Sequence, residues 1–158
     1  MAASLEISLR RAEPRDSDFA FQVLERSMRA YVEATWGTWS EAQARIRTSA
    51  DAISGRSQIV QFASQPIGLL CVDRLSKHLQ LDQLYLLPEY QRKGIGAKVL
   101  QLVLSESHAL GLPVRLRVLR VNPAKRFYER HGFIVTSETP ERLFMERTPT
   151  TLLEGSGR

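Results

Sequence analysis

Apolar and polar positions alternate at the start of the chain, where Leu5, Ile7 and Leu9 predict a strand over residues 5–12. Pro14 and Asp16-Ser17-Asp18 interrupt it, with Asp16 or Ser17 placed to cap a helix. The period then changes. Phe19, Val23, Leu24, Met28, Tyr31 and Val32 recur three to four residues apart, which predicts a helix to about Glu33. Gly37 breaks that pattern inside Thr35-Trp36-Gly37-Thr38-Trp39, and Ser40 is placed to cap a second helix through Arg47. Strand-like runs at residues 58–63 and 67–73 follow, divided by the turn residues Ser64-Gln65-Pro66. A third run covers residues 78–87 and stops at Pro88.

The next stripe is broader. Ile95, Val99, Leu100, Leu102, Val103 and Leu104 are too continuous for an exposed helix and predict a largely buried one, stopped by Gly111. Residues 113–121 read as a strand. Asn122 at the cap, Pro123 at the first helical position and Gly132 past the end frame a further helix, with Ala124, Phe127, Tyr128 and His131 on one face. Residues 133–137 and 143–146 make a closing pair of strands around Glu138-Thr139-Pro140-Glu141. This order predicts a mixed α/β sheet containing an antiparallel meander. With no repeat or linker in it, the chain is expected to form one domain over residues 1–148, followed by a flexible tail at 149–158.

Composition narrows the chemistry. At 158 residues, 43% hydrophobic and 25% charged, the chain has the size and make-up of one globular domain with a full core. The single cysteine, Cys71, excludes an internal disulfide, and the scattered His78, His108 and His131 offer no closed zinc site, so no metal is expected. No apolar run approaches the ~20 residues of a membrane span, and the amino terminus turns charged too early for a signal peptide. A cytoplasmic protein without a membrane partner is expected. The net charge of +5 favours an anionic partner without naming it. Basic residues are interleaved with apolar ones, as in Val114-Arg115-Leu116-Arg117-Val118, and no basic helix or stacking motif predicts nucleic-acid binding.

One segment carries specific chemistry. After Leu84-Tyr85-Leu86 the strand feeds a short basic loop, Gln91-Arg92-Lys93-Gly94-Ile95-Gly96-Ala97, that opens directly into the broad-striped helix. Helix N-termini present unbonded N–H groups and about half a positive charge, which suits phosphate. Gly94 and Gly96 allow close approach to that backbone, and Arg92 and Lys93 add charge. The loop is not a Walker loop and lacks the third glycine of a dinucleotide fingerprint.

Gln91-x-x-Gly94-x-Gly96-Ala97 resembles the Q/R-x-x-G-x-G/A pyrophosphate loop of the GNAT N-acetyltransferase superfamily. Asn122-Pro123-Ala124-Lys125-Arg126-Phe127-Tyr128-Glu129-Arg130-His131-Gly132-Phe133 resembles that family's second conserved block, in the right order and about one strand downstream. The resemblance covers most of the chain and is weakest over the first two helices. It implies a mostly antiparallel central sheet with helices on both faces, splayed at its fourth and fifth strands, here residues 78–87 and 113–121. It implies acetyl-CoA as cosubstrate, held by the backbone of Arg92, Lys93, Gly94, Ile95, Gly96 and Ala97 with Gln91, by the strand edge at Leu84, Tyr85 and Leu86, and by Asn122. Tyr128 would stand beside the sulfur, and Asp82 would be the candidate base.

From the residues themselves, Asn122 is also a good helix cap and Tyr128 a core tyrosine, while Cys71 reads as a buried small hydrophobe. The implied activity is direct acetyl transfer to a primary amine of a small molecule or protein. The alternative is a catalytically silent CoA-binding sensor or partner-binding module. Tyr31, Glu33, Trp36 and Trp39 form the candidate acceptor site, where aromatic walls and one carboxylate would suit a cationic amine. The tryptophans could equally pack a core or a homodimer contact.

Overall fold

The computed structural model describes residues 6–149, so Leu5 and residues 150–158 of the expected tail lie outside the described residues. The elements are β1 (Ile7–Arg11), α1 (Ser17–Trp36), α2 (Glu41–Ser54), β2 (Ser57–Phe62), β3 (Gln65–Arg74) and β4 (Leu79–Leu86). They continue with α3 (Ile95–Leu110), β5 (Val114–Leu119), α4 (Ala124–Arg130), β6 (Ile134–Glu138) and β7 (Arg142–Arg147). Single turns of 3-10 helix precede α1 at Pro14–Asp16 and follow β4 at Pro88–Tyr90. One sheet runs in the order β1-β2-β3-β4-β5-β7-β6. Every neighbouring pair is antiparallel except β4 and β5. The expected mixed, mostly antiparallel sheet with helices on both faces is the fold observed.

Buried apolar clusters flank the sheet on both sides. On one side Ile95, Val99, Leu100 and Val103 of α3 and Tyr128 of α4 pack with Leu79, Leu81, Leu116, Val118 and Met145 from the strands. On the other, Ala20 and Val23 of α1 and Ala52 of α2 cover Ile59 and Leu69. Each buried branched side chain contributes roughly 1.5–3 kcal/mol, and α3 buries five of them, Ile95, Val99, Leu100, Val103 and Leu104. It is not buried all round, however. Leu102 is half exposed, and the buried residues form one face of the helix.

Several boundaries differ from expectation. Asp16 stands at the start of α1 but makes no side-chain cap bond. Its carboxylate instead takes two hydrogen bonds from Arg10, each of 2.8 Å, and one from the Glu13 N–H. That clamp ties the start of α1 to β1 and holds the Asp16 carboxyl below its ordinary range, mainly through the Arg10 bond. Helix α1 runs to Trp36, where left-handed Gly37 donates to the Glu33 carbonyl. Helix α2 begins as expected, with the Ser40 hydroxyl accepting from Gln43 N–H, but continues past Arg47 to Ser54. Its buried stripe is Ala44, Thr48 and Ala52, small residues that give a weak apolar signal. The β2–β3 turn is Ala63-Ser64, both at positive φ, rather than Ser64-Gln65-Pro66.

Candidate active site

Strands β4 and β5 stay together for only two rungs, Leu79 with Val114 and Gln80 with Arg115. Beyond them the strands part, and a cleft of about 560 Å³ opens between them and under α1 and α2. The expected splay at residues 78–87 and 113–121 is therefore the feature that makes the site.

A bulge shapes the open edge of β4. Cys71 of β3 pairs with Gln83 but the next residue, Val72, pairs with Leu81, so Asp82 is the extra residue. Leu79 and Leu81 before the bulge and Leu84 and Leu86 after it all pack into the α3-side core. The alternation has shifted by one residue at Asp82. Downstream, the Tyr85 carbonyl faces β3, where an added Cβ on Gly68 would lie only 2.3 Å from it. The Leu86 carbonyl accepts from the Gln91 side chain at 2.9 Å. By the same alternation the backbone of Leu84 faces the gap, a donor and an acceptor with no strand opposite.

The Gln91 bond gives that side chain a definite local role, since it ties the basic loop to the end of β4. Arg92, at φ 62°, and Gly94, at φ 81°, both adopt the left-handed conformation from which anion-binding concavities are built. Gly94 begins α3 without a side-chain cap, and the first helical bond is Lys98 N–H to the Gly94 carbonyl at 3.2 Å. The N–H groups of Ile95, Gly96 and Ala97 precede that bond and have no helical acceptor. A Cβ on Gly96 would meet Phe127 of α4 at 3.6 Å, ordinary contact, so the loop packs directly against the helix that carries Tyr128.

Asp82, Leu84, Tyr85, Asn122 and Tyr128 all line the cleft. Helix α4 starts one residue later than expected, with Pro123 at the N-cap and Ala124 the first helical residue, but the Asn122 Oδ1 still accepts from Ala124 N–H at 2.9 Å. Its amide nitrogen also reaches the Met28 sulfur across the cleft, at 3.8 Å. Tyr128 is buried edge-on against Phe127 and Phe133. Burial, together with nearby Tyr85, raises the Tyr128 phenol well above its ordinary value, while burial pushes that of Tyr85 up to about 12. Both hydroxyls therefore keep their protons at neutral pH and can donate them in hydrogen bonds.

Asp82 is the one carboxylate among the described residues lining the cleft. Its Oδ2 accepts from Arg47 at 3.0 Å and from Arg56 at 3.2 Å. Sequence reasoning missed both guanidiniums, because α2 and the turn after it reach β4 only in the folded chain. Arg56 also holds Asp73, through two bonds of 3.0 and 2.6 Å, and Asp51. Cys71 lies fully buried beside this cluster, with desolvation pushing its thiol up to about 12.

The expected acceptor residues separate. Trp36 and Trp39 line the cleft, and the buried indole N–H of Trp39 has no acceptor among the described residues. Glu33 lies outside it, exposed and paired with Arg29 at 3.3 Å. Tyr31 is half-buried on α1 and is also outside the lining. In their place stand Arg117 of β5 and Arg142 of β7, the latter 5.0 Å from the Trp36 ring centroid. Among the described residues no group of acidic, cysteine or histidine side chains could hold a metal, and no helix is long and apolar enough to cross a membrane.

Solved structures share this architecture. An N-acetyltransferase, PaiA, from Thermoplasma acidophilum, crystallised with coenzyme A, aligns over 91% of this chain and 99% of its own, at 23% identity and TM-score 0.69. An acetyltransferase from Thermus thermophilus aligns over 91% and 97%, at 19% identity and TM-score 0.71. The ribosomal-protein-S18-alanine N-acetyltransferase from Escherichia coli aligns over 91% and 94%, at 19% identity and TM-score 0.67. At such identities the likeness is one of fold. None of the curated protein sequences matches this chain. The acetyltransferase (GNAT) domain model, by contrast, matches residues 55–135, from the turn before β2 into β6. That stretch contains the parted strands, the bulge, the basic loop and the Tyr128 helix, and it places the chain in the GNAT acetyltransferase family.

Proposed function

We propose that this acetyltransferase moves the acetyl group of acetyl-CoA to a primary amine by direct attack within the cleft between β4 and β5. The observation that carries the reading is the open edge of β4, where the backbone of Leu84 faces the gap beside Tyr128. The loop at the start of α3 suits the cosubstrate's pyrophosphate, with the free N–H groups of residues 95–97 and the charges of Arg92 and Lys93 converging there. The β4 edge would take the pantetheine arm as an added strand, with Leu84, Tyr85 and Leu86 alongside it and Asn122 on the opposite wall. The relative crystallised with coenzyme A has the same fold, which supports this assignment.

In the transfer, the amine nitrogen bonds to the thioester carbonyl carbon, and the carbon–sulfur bond breaks after the tetrahedral stage. A backbone N–H at Leu84 is placed to donate to the oxygen as it gains negative charge. The sulfur leaves with the bonding electrons, and Tyr128 is the hydroxyl positioned to donate to it. With its phenol raised by burial, Tyr128 serves better as a hydrogen-bond donor than as a source of a fully transferred proton. The attacking nitrogen must lose a proton, and Asp82 is the candidate to receive it. Both Arg contacts fall on Oδ2, which leaves Oδ1 for that task. Cys71 is no candidate for an acetyl relay, being fully buried with its thiol pushed up to about 12.

Three measurements test this reading. A Gly96→Leu protein should fold, because its first added carbon meets only ordinary contacts at Phe127, yet lose detectable CoA binding in calorimetry. Unchanged CoA affinity would remove the loop from the site. Tyr128→Phe should lower turnover about 10- to 100-fold with CoA affinity nearly intact. Wild-type turnover in that variant would make Tyr128 a packing residue. Incubated with acetyl-CoA alone, the wild-type protein should keep its intact mass, whereas gain of one acetyl group on Cys71 would require a two-step route.

A further inference from the structure

Among the described residues most arginines hold a carboxylate: Arg10 has Asp16, Arg26 has Glu89, Arg56 has Asp73, Arg74 has Glu106 and Arg120 has Glu138. On the cleft wall Arg47 keeps to the pattern, through Asp82, but two arginines of the β5–β7 pair do not. Arg115 of β5 lies opposite Glu146 of β7 and pairs with it at 2.7 Å. Two residues further along, Arg117 lies opposite Phe144, and Arg142 lies opposite Leu119. No ion pair forms at either guanidinium among the described residues, and Arg142 has only the face of Trp36. Arg117 and Arg142 are diagonal neighbours on one face of an antiparallel pair, with backbones about 7–8 Å apart, so two arginine side chains can converge on one anion. With Arg47 the wall carries three guanidiniums against the single carboxylate of Asp82.

These cations are separate from those of the phosphate loop. Leu116 and Val118 of β5 face the α3-side core, so Arg117 between them points to the opposite face, under α1. Arg92 and Lys93 precede α3, on the other side of the sheet. The cosubstrate's phosphates therefore account for one basic group and leave the other without a counter-ion. We infer that the acceptor is an amine that also carries an anionic group, a carboxylate or a phosphate, which Arg117 and Arg142 bind while the amine reaches the seam at Leu84. This inference rests on the transferase reading above and names its substrate class. It replaces the cationic amine that Glu33 had suggested, since Glu33 lies outside the cleft and is held by Arg29.

The test pairs amines that differ in the anion alone: α-amino acids with their carboxamides, and O-phosphoethanolamine with ethanolamine, with spermidine as the cationic comparator. Turnover with acetyl-CoA is measured by thiol release, and binding to the CoA-saturated protein by calorimetry. An anionic amine should be preferred over its neutral partner about tenfold or more, and Arg117→Gln or Arg142→Gln should each erase that preference without changing the acetyl-CoA KM. Whether the carboxylate or the phosphate member wins identifies the anion, and Arg117→Lys should restore part of the preference. Preference for neutral amines or spermidine, or an anion preference indifferent to both arginines, overturns the inference while leaving transfer intact. Arginine-dependent binding of the anionic amines without thiol release would support the inference and overturn the transfer reading instead. No binding and no turnover of any amine tested, anionic, neutral or cationic, would overturn both.

Discussion

The structure depends on a sheet that is closed at one end of its central seam and open at the other. Two rungs hold β4 to β5, at Leu79 with Val114 and Gln80 with Arg115, and then the strands diverge. Unpaired backbone groups inside a fold cost about 1–3 kcal/mol each where no water or partner reaches them. The parting is tolerated because the edge it exposes is lined by a cleft, and because both strands are secured from outside. β3 holds β4 along its whole length, with Gly68 as the close approach beside Tyr85, and β7 holds β5 through every rung. An exposed strand edge within a sheet is a template for another extended chain, and here its end runs straight into the anion-suited loop.

Positive charge gathers in two separate places about the parted strands. Unpartnered N–H groups at the start of α3, with Arg92 and Lys93, form one positive region. Arg117 and Arg142 form another on the opposite face, bounded by Trp36 and by the Arg47–Asp82 pair. Between them the wall is apolar or neutral: Leu81, Leu84, Leu116, Val118 and the two protonated tyrosines. A thioester and a neutral amine are compatible with such a middle, and the charged ends would orient both. Asp82 sits at the parting of the strands, bonded to Arg47 of α2 and itself the bulge residue that turns Leu84 to the gap.

Much of this arrangement is legible in the sequence. Proline and glycine mark the element boundaries around β4, α3 and α4, and Asn122 bonds the first helical N–H of α4 from one residue before the cap. The bulge has a signal too: apolar positions move from odd at Leu79 and Leu81 to even at Leu84 and Leu86, a shift of face that only an extra residue reconciles. Periodicity makes α2 too short because small residues, Ala44, Thr48 and Ala52, bury a face as well as large ones do where the helix lies close to its neighbours. The α1 side of the cleft is the least legible. Glu33 and Trp36 are three apart and neighbours around α1, so spacing groups them, yet Arg29 holds the Glu33 carboxylate on the exposed surface and only Trp36 lines the cleft. Arg115 and Arg117 look alike in the alternating pattern of β5. Only the register against β7 shows that one faces a glutamate and the other a phenylalanine.

The central claim is that the open edge of β4 and the loop that follows it together receive the cosubstrate. Titrating coenzyme A into isotopically labelled protein and following the backbone amide signals tests it most directly. The Leu84 amide and those of residues 92–97 should move most, and the Leu84 amide should gain protection from hydrogen exchange. If those signals stay still while others shift, for instance along the β1 edge or the outer face of α2, the parted strands are not the binding site.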